Sequence, residues 1–246
     1  GTSSLISLQL ARKISSWVVT DAGFGFDLGA EKFFDILCAQ ANFAPHVVVL
    51  VPIVRALKYH GGVDLSDLER PDPGAVERGL PNLAKHLDSI VRFRVPAVVC
   101  INLFRQDSSR EIEVIRKYLI EQRYPFATAE VYQKGGEGAI ELAKVVKQVA
   151  ETSTGTFRPL YDWKEPVLEK IKKVARSMYG ANAVTLTKRA KQDLERIEKQ
   201  GFAALPVCIA KTQKSLSDDP VLLGRPKDFV VTVREIAIAS GAGFLI

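Results

Sequence analysis

The apolar positions of this chain gather into short unbroken runs separated by amphipathic stretches, and that alternation predicts its architecture. One run is Trp17-Val18-Val19-Thr20, followed by a glycine-rich loop and a helix expected from Ala30 to Cys38. A second is Val47 to Val54. A third, Val95 to Asn102, leads into a helix expected from about Ser108 to Arg123. Short continuous apolar strands alternating with helices predict an α/β fold, a mainly parallel sheet flanked by helices. Ligands of such sheets collect at the carboxyl ends of the strands. Asp107-Ser108-Ser109-Arg110-Glu111 reads as a helix start. Residues 63–80, with Pro71, Pro73, Gly74 and Gly79, read as a loop or flap. Residues 139–150 read as a helix, residues 162–200 as two helices separated by Tyr179–Asn182, and Ala204–Ala210 as a final strand. Residues 1–155 are expected to be part of an α/β core, and residues 156–246 a smaller C-terminal α/β lobe.

Composition narrows the class. Among 246 residues, 47% are hydrophobic and 25% charged, as in ordinary globular domains. No apolar run reaches the roughly 18–20 residues that span a bilayer, and no signal-peptide pattern opens the chain. Neither a membrane nor a nucleic-acid partner is expected. The formal charge of +6 is spread over helices that also carry acids, for example Lys188 to Lys199, and reads as solvated faces. Cys38, Cys100 and Cys208 form no CxxC pair and no zinc pattern with the three histidines. They read as buried free thiols in a reduced cytoplasmic compartment, and no metal ligands are assigned. Both ends read as cut from a longer protein.

Chemistry is expected at the loops. In Thr20-Asp21-Ala22-Gly23-Phe24-Gly25-Phe26-Asp27-Leu28-Gly29 a strand-to-helix turn carries GxGxxxG. Its amides and the following helix start suit an anion or acyl phosphate, with a plain strand–helix turn as the equal alternative. Phe24 and Phe26 either bury into the fold or wall a dry pocket. Tyr132 precedes a second flexible loop, Gln133-Lys134-Gly135-Gly136-Glu137-Gly138, and Phe104 ends the third apolar run. Two aromatics on neighbouring loops can sandwich a flat ring, with core burial of the tyrosine as the alternative. Lys58 and His60, in Arg55–Gly62, are candidates to meet phosphate or carboxylate, against a structural histidine. The chain contains no GxxxxGK[ST].

Taken in order, VVTDAGFGFDLGAEKFFDI, PHVVVLVPIVRALKYHGG, LPNLAKHLDSI, INLFRQD, KGGEGAIELA and GFAALPVCIAKTQKSLSDDPVLLGRPKDF resemble the formate–tetrahydrofolate ligases and span nearly the whole chain. The resemblance implies a P-loop NTPase-like family whose P-loop lies in an N-terminal half absent here. It implies a reaction in which formate and MgATP give formyl phosphate, which then formylates N10 of tetrahydrofolate. It places Gly23, Phe24 and Gly25, with Ala22, at the formyl phosphate. Phe104 and Tyr132 would stack the pterin, with tyrosine standing where the family has tryptophan. Lys211, Thr212, Arg225 and Pro226 would lie near the nucleotide. TDAGFGFD replaces the usual TEAGFGAD, so Asp21 and Phe26 also differ. A cytoplasmic homotetramer activated by a monovalent cation is implied as well.

Two rival readings stand beside this one. A non-catalytic fragment or degenerate homologue would bind folate or phosphate, or serve as an interaction module. A dinucleotide oxidoreductase is disfavoured by the GxGxxxG spacing and the lack of an obvious ribose-binding acid.

Overall fold

A computed structural model describes residues 3–246. The chain divides into two compact units. One comprises Gly1–Ala44, Pro159–Val221 and Pro226–Ile246; the other comprises Pro45–Arg158 and Leu222–Arg225.

The N-terminal segment is helical. Helix α1, Leu5–Ile14, starts at Ser4, whose side chain accepts from Ser7 N. Helix α2 covers residues 25–41, with wide π turns at Gly25–Ala30 and Phe33–Cys38, and ends at Asn42 in the left-handed region. It therefore begins five residues before the expected start at Ala30. The expected strand at 17–20 is absent: these residues have no ladder partner, and Val19 is 96% exposed. An apolar run forms a strand only where another strand completes its hydrogen bonds.

The second unit holds a parallel sheet of β1 (Val48–Leu50), β2 (Ala97–Asn102) and β3 (Phe126–Ala129), in that order. Val49 pairs with Val98, and Asn102 with Ala129. In β2, Ala97 to Ile101 are all buried, as expected of a central strand covered on both faces. Between strands run α3 (Val54–His60), α4 (Pro73–Arg92) and α5 (Ser109–Glu121); after β3 come α6 (Val131–Lys134) and α7 (Ile140–Thr152). Residues 73–80, expected as loop, are the first turns of α4. Pro73 sits in the first turn, where its missing N–H costs nothing. Gly79 is a packing residue rather than a breaker, because a Cβ there would lie 2.0 Å from Leu57 O of α3. Helix α5 starts on a capping box between Ser108 and Glu111.

The remaining elements return to the first unit. Helix α8, Val167–Val174, continues through a π turn at Ala175–Tyr179 and stops at Gly180. A strand not expected from the sequence, β4 (Ala183–Leu186), precedes α9 (Lys188–Lys199) and pairs in parallel with β5 (Val230–Val233). Strands β6 (Ile238–Ala239) and β7 (Phe244–Leu245) form an antiparallel ladder. The expected strand at 204–210 is reduced to a single bridge between Val207 and Leu245. Pro206 has no N–H to extend it. Beneath this segment the buried Lys170 donates to Trp163 O, Ala203 O and Leu205 O at 2.9, 2.7 and 2.6 Å. All three cysteines are free; Cys38 and Cys100 are buried and Cys208 is partly so.

Candidate functional site

The glycine loop is shaped by two close approaches. Gly25 takes φ +71°, and a Cβ on Gly29 would lie 1.9 Å from Gly23 O. The loop thus folds back onto the first turn of α2, a conformation that a side chain at residue 29 would block. The two phenylalanines part company. Phe26 is buried, 5.9 Å from the ring of Phe34, whereas Phe24 is 93% exposed at the loop tip. Asp27, in the first turn, forms an ion pair with Lys211 at 2.8 Å, with side-chain exposures of 7% and 2%.

That pair joins two of the expected motifs. The Lys211 ammonium also donates to Thr212 O at 3.1 Å and Ser215 O at 2.6 Å, and lies 4.8 Å from the centre of the Tyr179 ring. Its buried charge is engaged inside the first unit, and it fixes the 211–217 segment to the helix behind the glycine loop. Thr212 Oγ1 accepts from Lys214 N. Arg225 is ion-paired with Asp88 at 2.6 Å in the second unit, and Pro226 follows it half-buried.

In the second unit, Phe104 and Tyr132 leave the carboxyl ends of adjacent parallel strands. Their stems, Asn102 and Ala129, are register partners, and Leu103 N donates to Ala129 O at 2.9 Å. Phe104 is half-buried and Tyr132 is 88% exposed, so Tyr132 is not a core tyrosine. The Phe104 turn is closed by two hydrogen bonds: Phe104 N donates to Asp107 Oδ2 at 2.8 Å, and Asp107 N to Phe104 O at 3.0 Å. After Tyr132, Gly135 adopts φ +56°, and Glu130 N donates to Gly138 O, closing the glycine loop.

Behind the Phe104 turn stands a buried carboxylate. Glu111 accepts from Asp72 N, Ser108 N, Ser108 Oγ and, at 3.0 Å, from the Lys58 ammonium. Burial alone would raise its pKa, but the four donors together outweigh it and hold Glu111 down to about 2. Lys58 therefore meets a carboxylate, that of Glu111, and also donates to Arg70 O. His60 Nδ1 accepts from Gly224 N at 3.2 Å, a structural role.

A family model described as formate–tetrahydrofolate ligase matches residues 1–246. The chain belongs to that family. It is 50% identical over 247 residues to the formate–tetrahydrofolate ligase of Syntrophus aciditrophicus (strain SB), an alignment that covers 100% of this chain and 44% of that protein. The chain therefore spans less than half the length of this ligase.

Sequence reasoning missed the buried acids that follow the glycine loop. Asp27, Glu31 and Asp35 recur every four residues on α2, and all are buried. A run of acids at helical spacing among Phe26, Phe33 and Phe34 was the available signal. Among the described residues, no group of three or more His, Cys, Asp or Glu side chains is disposed to hold a metal ion. None of their helices is long and apolar enough to cross a membrane.

Proposed function

We propose that this chain is the folate- and formyl-phosphate-binding part of a cytoplasmic, homo-oligomeric formate–tetrahydrofolate ligase. In the complete reaction a formate oxygen attacks the γ-phosphorus of ATP, releasing ADP and giving formyl phosphate. The N10 amine of tetrahydrofolate then attacks the formyl carbon. Phosphate leaves, the nitrogen loses its proton, and 10-formyl-tetrahydrofolate results. The amides of Gly23, Phe24 and Gly25 hold the anionic end of the mixed anhydride, and the exposed Phe24 ring shields it from water. Phe104 and Tyr132 grip the pterin by its faces. Lys211 and Thr212 shape the nucleotide side through the backbone they fix, and Arg225 and Pro226 border it. Magnesium and a monovalent cation belong to the complete enzyme, and no step above is assigned to a metal ligand of this chain.

The observation that carries the reading is the placement of Phe104 and Tyr132 on register-paired strand ends of a parallel sheet, the end at which such sheets bind ligands. Calorimetric titration of tetrahydrofolate into the chain tests it. Phe104→Ala is expected to weaken binding about tenfold, roughly the 1.4 kcal/mol expected of one ring-stacking contact. An unchanged dissociation constant refutes the stacking role. A second reading is a folate-binding module that works only beside another chain, which the register-anchored Phe104 and Tyr132 loops would serve equally. Under both readings the chain alone binds folate but forms no 10-formyl-tetrahydrofolate from formate and ATP. Turnover above the enzyme-free blank would refute that.

A further inference from the structure

Glu31 and Asp35 lie four residues apart on α2, just behind the glycine loop, and both are fully buried. With Asp27 they form a row of three acids along one helix face. A buried cation answers only one of the three, since Lys211 pairs with Asp27. The Lys32 ammonium stands 3.8 Å from Glu31 Oε2 and donates instead to Leu28 O at 3.0 Å. Asp35 Oδ1 accepts from Leu160 N at 2.7 Å. Asp35 Oδ2, both carboxyl oxygens of Glu31 and the buried Tyr179 hydroxyl have no hydrogen-bond partner.

Four residues apart on one helix, both fully buried and with three of their four oxygens unpartnered, the two carboxyl groups act on each other. As two carboxylates they are acceptors only, so the contact is repulsive and their oxygens are stranded. Burying two like charges with only the part-exposed Lys32 ammonium beside them, 3.8 Å from Glu31, costs several kcal/mol, a large share of the roughly 5–15 kcal/mol that stabilises a whole domain. A single proton resolves this: one acid becomes a donor and the other its charged acceptor, the short and strong form of the bond.

We propose that Glu31 and Asp35 share a proton and, in that form, are positioning residues for the glycine loop, tying together successive turns of the helix that carries it. This rests on the reading of that loop as an anion site. Loss of the proton puts two negative charges against each other at the base of the loop and loosens α2. The groups facing the pair are Asp27, Lys32 and Cys38 on α2, and Tyr161, Tyr179, Cys208 and Lys211 from the rest of the unit. Burial pushes the two phenols and the two thiols upward, away from neutrality. Burial also raises both acids, Glu31 to about 7 and Asp35 well above its usual range, the latter helped by the charge of Glu31. A pKa raised on folding stabilises the fold below the unfolded value of 4.5, and that contribution is lost as pH rises through about 7.

The structure supplies a reporter. Trp163 Nε1 donates to Asp35 O at 3.0 Å, and the only other tryptophan is the exposed Trp17. In a Trp17→Phe chain, Trp163 emission is followed from pH 5 to 9, with urea unfolding at each pH. The expected result is an emission midpoint near 7, with the unfolding constant rising by up to tenfold per pH unit below it. In Glu31→Gln the amide donates to Asp35 without a titrating proton, so the midpoint disappears and the slope falls. A Glu31→Gln chain with the parent's midpoint and slope overturns the shared proton. If that variant does not fold, carbon-13 NMR of labelled glutamate in the parent decides: a carboxyl titrating above pH 6 supports it, and all glutamates titrating below pH 5 overturn it. Sulfate, whose charge is constant over this range, then probes the loop, and tighter binding at pH 6 than at pH 8 is expected. Equal binding at both overturns the positioning role. No binding at either overturns the anion-loop reading and with it that role, leaving the shared proton to stand or fall on Trp163.

Discussion

Replacing Lys211 with methionine is the most informative single perturbation of the first unit. The buried ammonium is ion-paired with Asp27, and their side chains are 2% and 7% exposed. Lys211→Met keeps most of the side-chain volume and removes the charge. It strands the Asp27 carboxylate beside Glu31 and leaves Thr212 O and Ser215 O without this donor. Breaking one side of a buried pair costs about 3–5 kcal/mol. The two carbonyl bonds add about 1 kcal/mol each if water cannot replace the donor. The total is a large share of a typical domain's 5–15 kcal/mol. Asp27→Asn in the same chain removes the stranded charge, so the double variant should recover at least about 2 kcal/mol relative to the sum of the single changes. Urea unfolding of the parent, both single variants and the double variant, followed by tryptophan emission, measures this. A Lys211→Met cost below about 1 kcal/mol, or strict additivity, refutes the account of Lys211 as the clamp between the 211–217 segment and α2.

Gly29→Ala places a Cβ 1.9 Å from Gly23 O, so the loop must move; a loss of more than about 2 kcal/mol is expected by urea unfolding, and an unchanged midpoint would contradict the loop conformation. Glu111 is held down to about 2 against an ordinary 4.5, so it stabilises the fold above pH 4.5, and that stabilisation is lost as pH falls through about 2. Glu111→Gln should therefore destabilise the chain by about 3 kcal/mol at pH 7 and much less at pH 2; acid and urea titrations of both proteins test the sign. Tyr132→Trp enlarges the stacking face and should tighten tetrahydrofolate binding a few-fold, read by calorimetry; weaker binding would place the pterin elsewhere.

The sequence made the second unit largely legible. The apolar runs at 47–54 and 95–102 contain β1 and β2, and Ser108 begins α5 with a capping box. These signals are local: a β-branched run between turns, or a cap followed by a charged helix. The errors came where meaning depends on distant contacts. Pro73 and Gly79 look like loop residues until α3 is seen packed against Gly79. Trp17–Thr20 look like a strand, but no second strand pairs with them. Ala183–Leu186 were hidden between helices, and their partner β5 lies more than forty residues on. Phe104 and Tyr132 drew notice as candidates because they follow local apolar runs. Glu31 and Asp35 drew none, because their four-residue spacing is also that of an ordinary exposed helix face, and their burial depends on Leu160 and Tyr179 far along the chain.

The first unit is discontinuous, and this bears on how the chain is made. Asp27 leaves the ribosome long before Lys211, with an entire second unit in between. At roughly 5–20 residues per second, translation holds the two charges apart for about 10–40 s. During that interval Asp27 lacks its buried cation and Asp35 lacks the Leu160 amide. The base of the glycine loop is thus completed only after the whole second unit has been made.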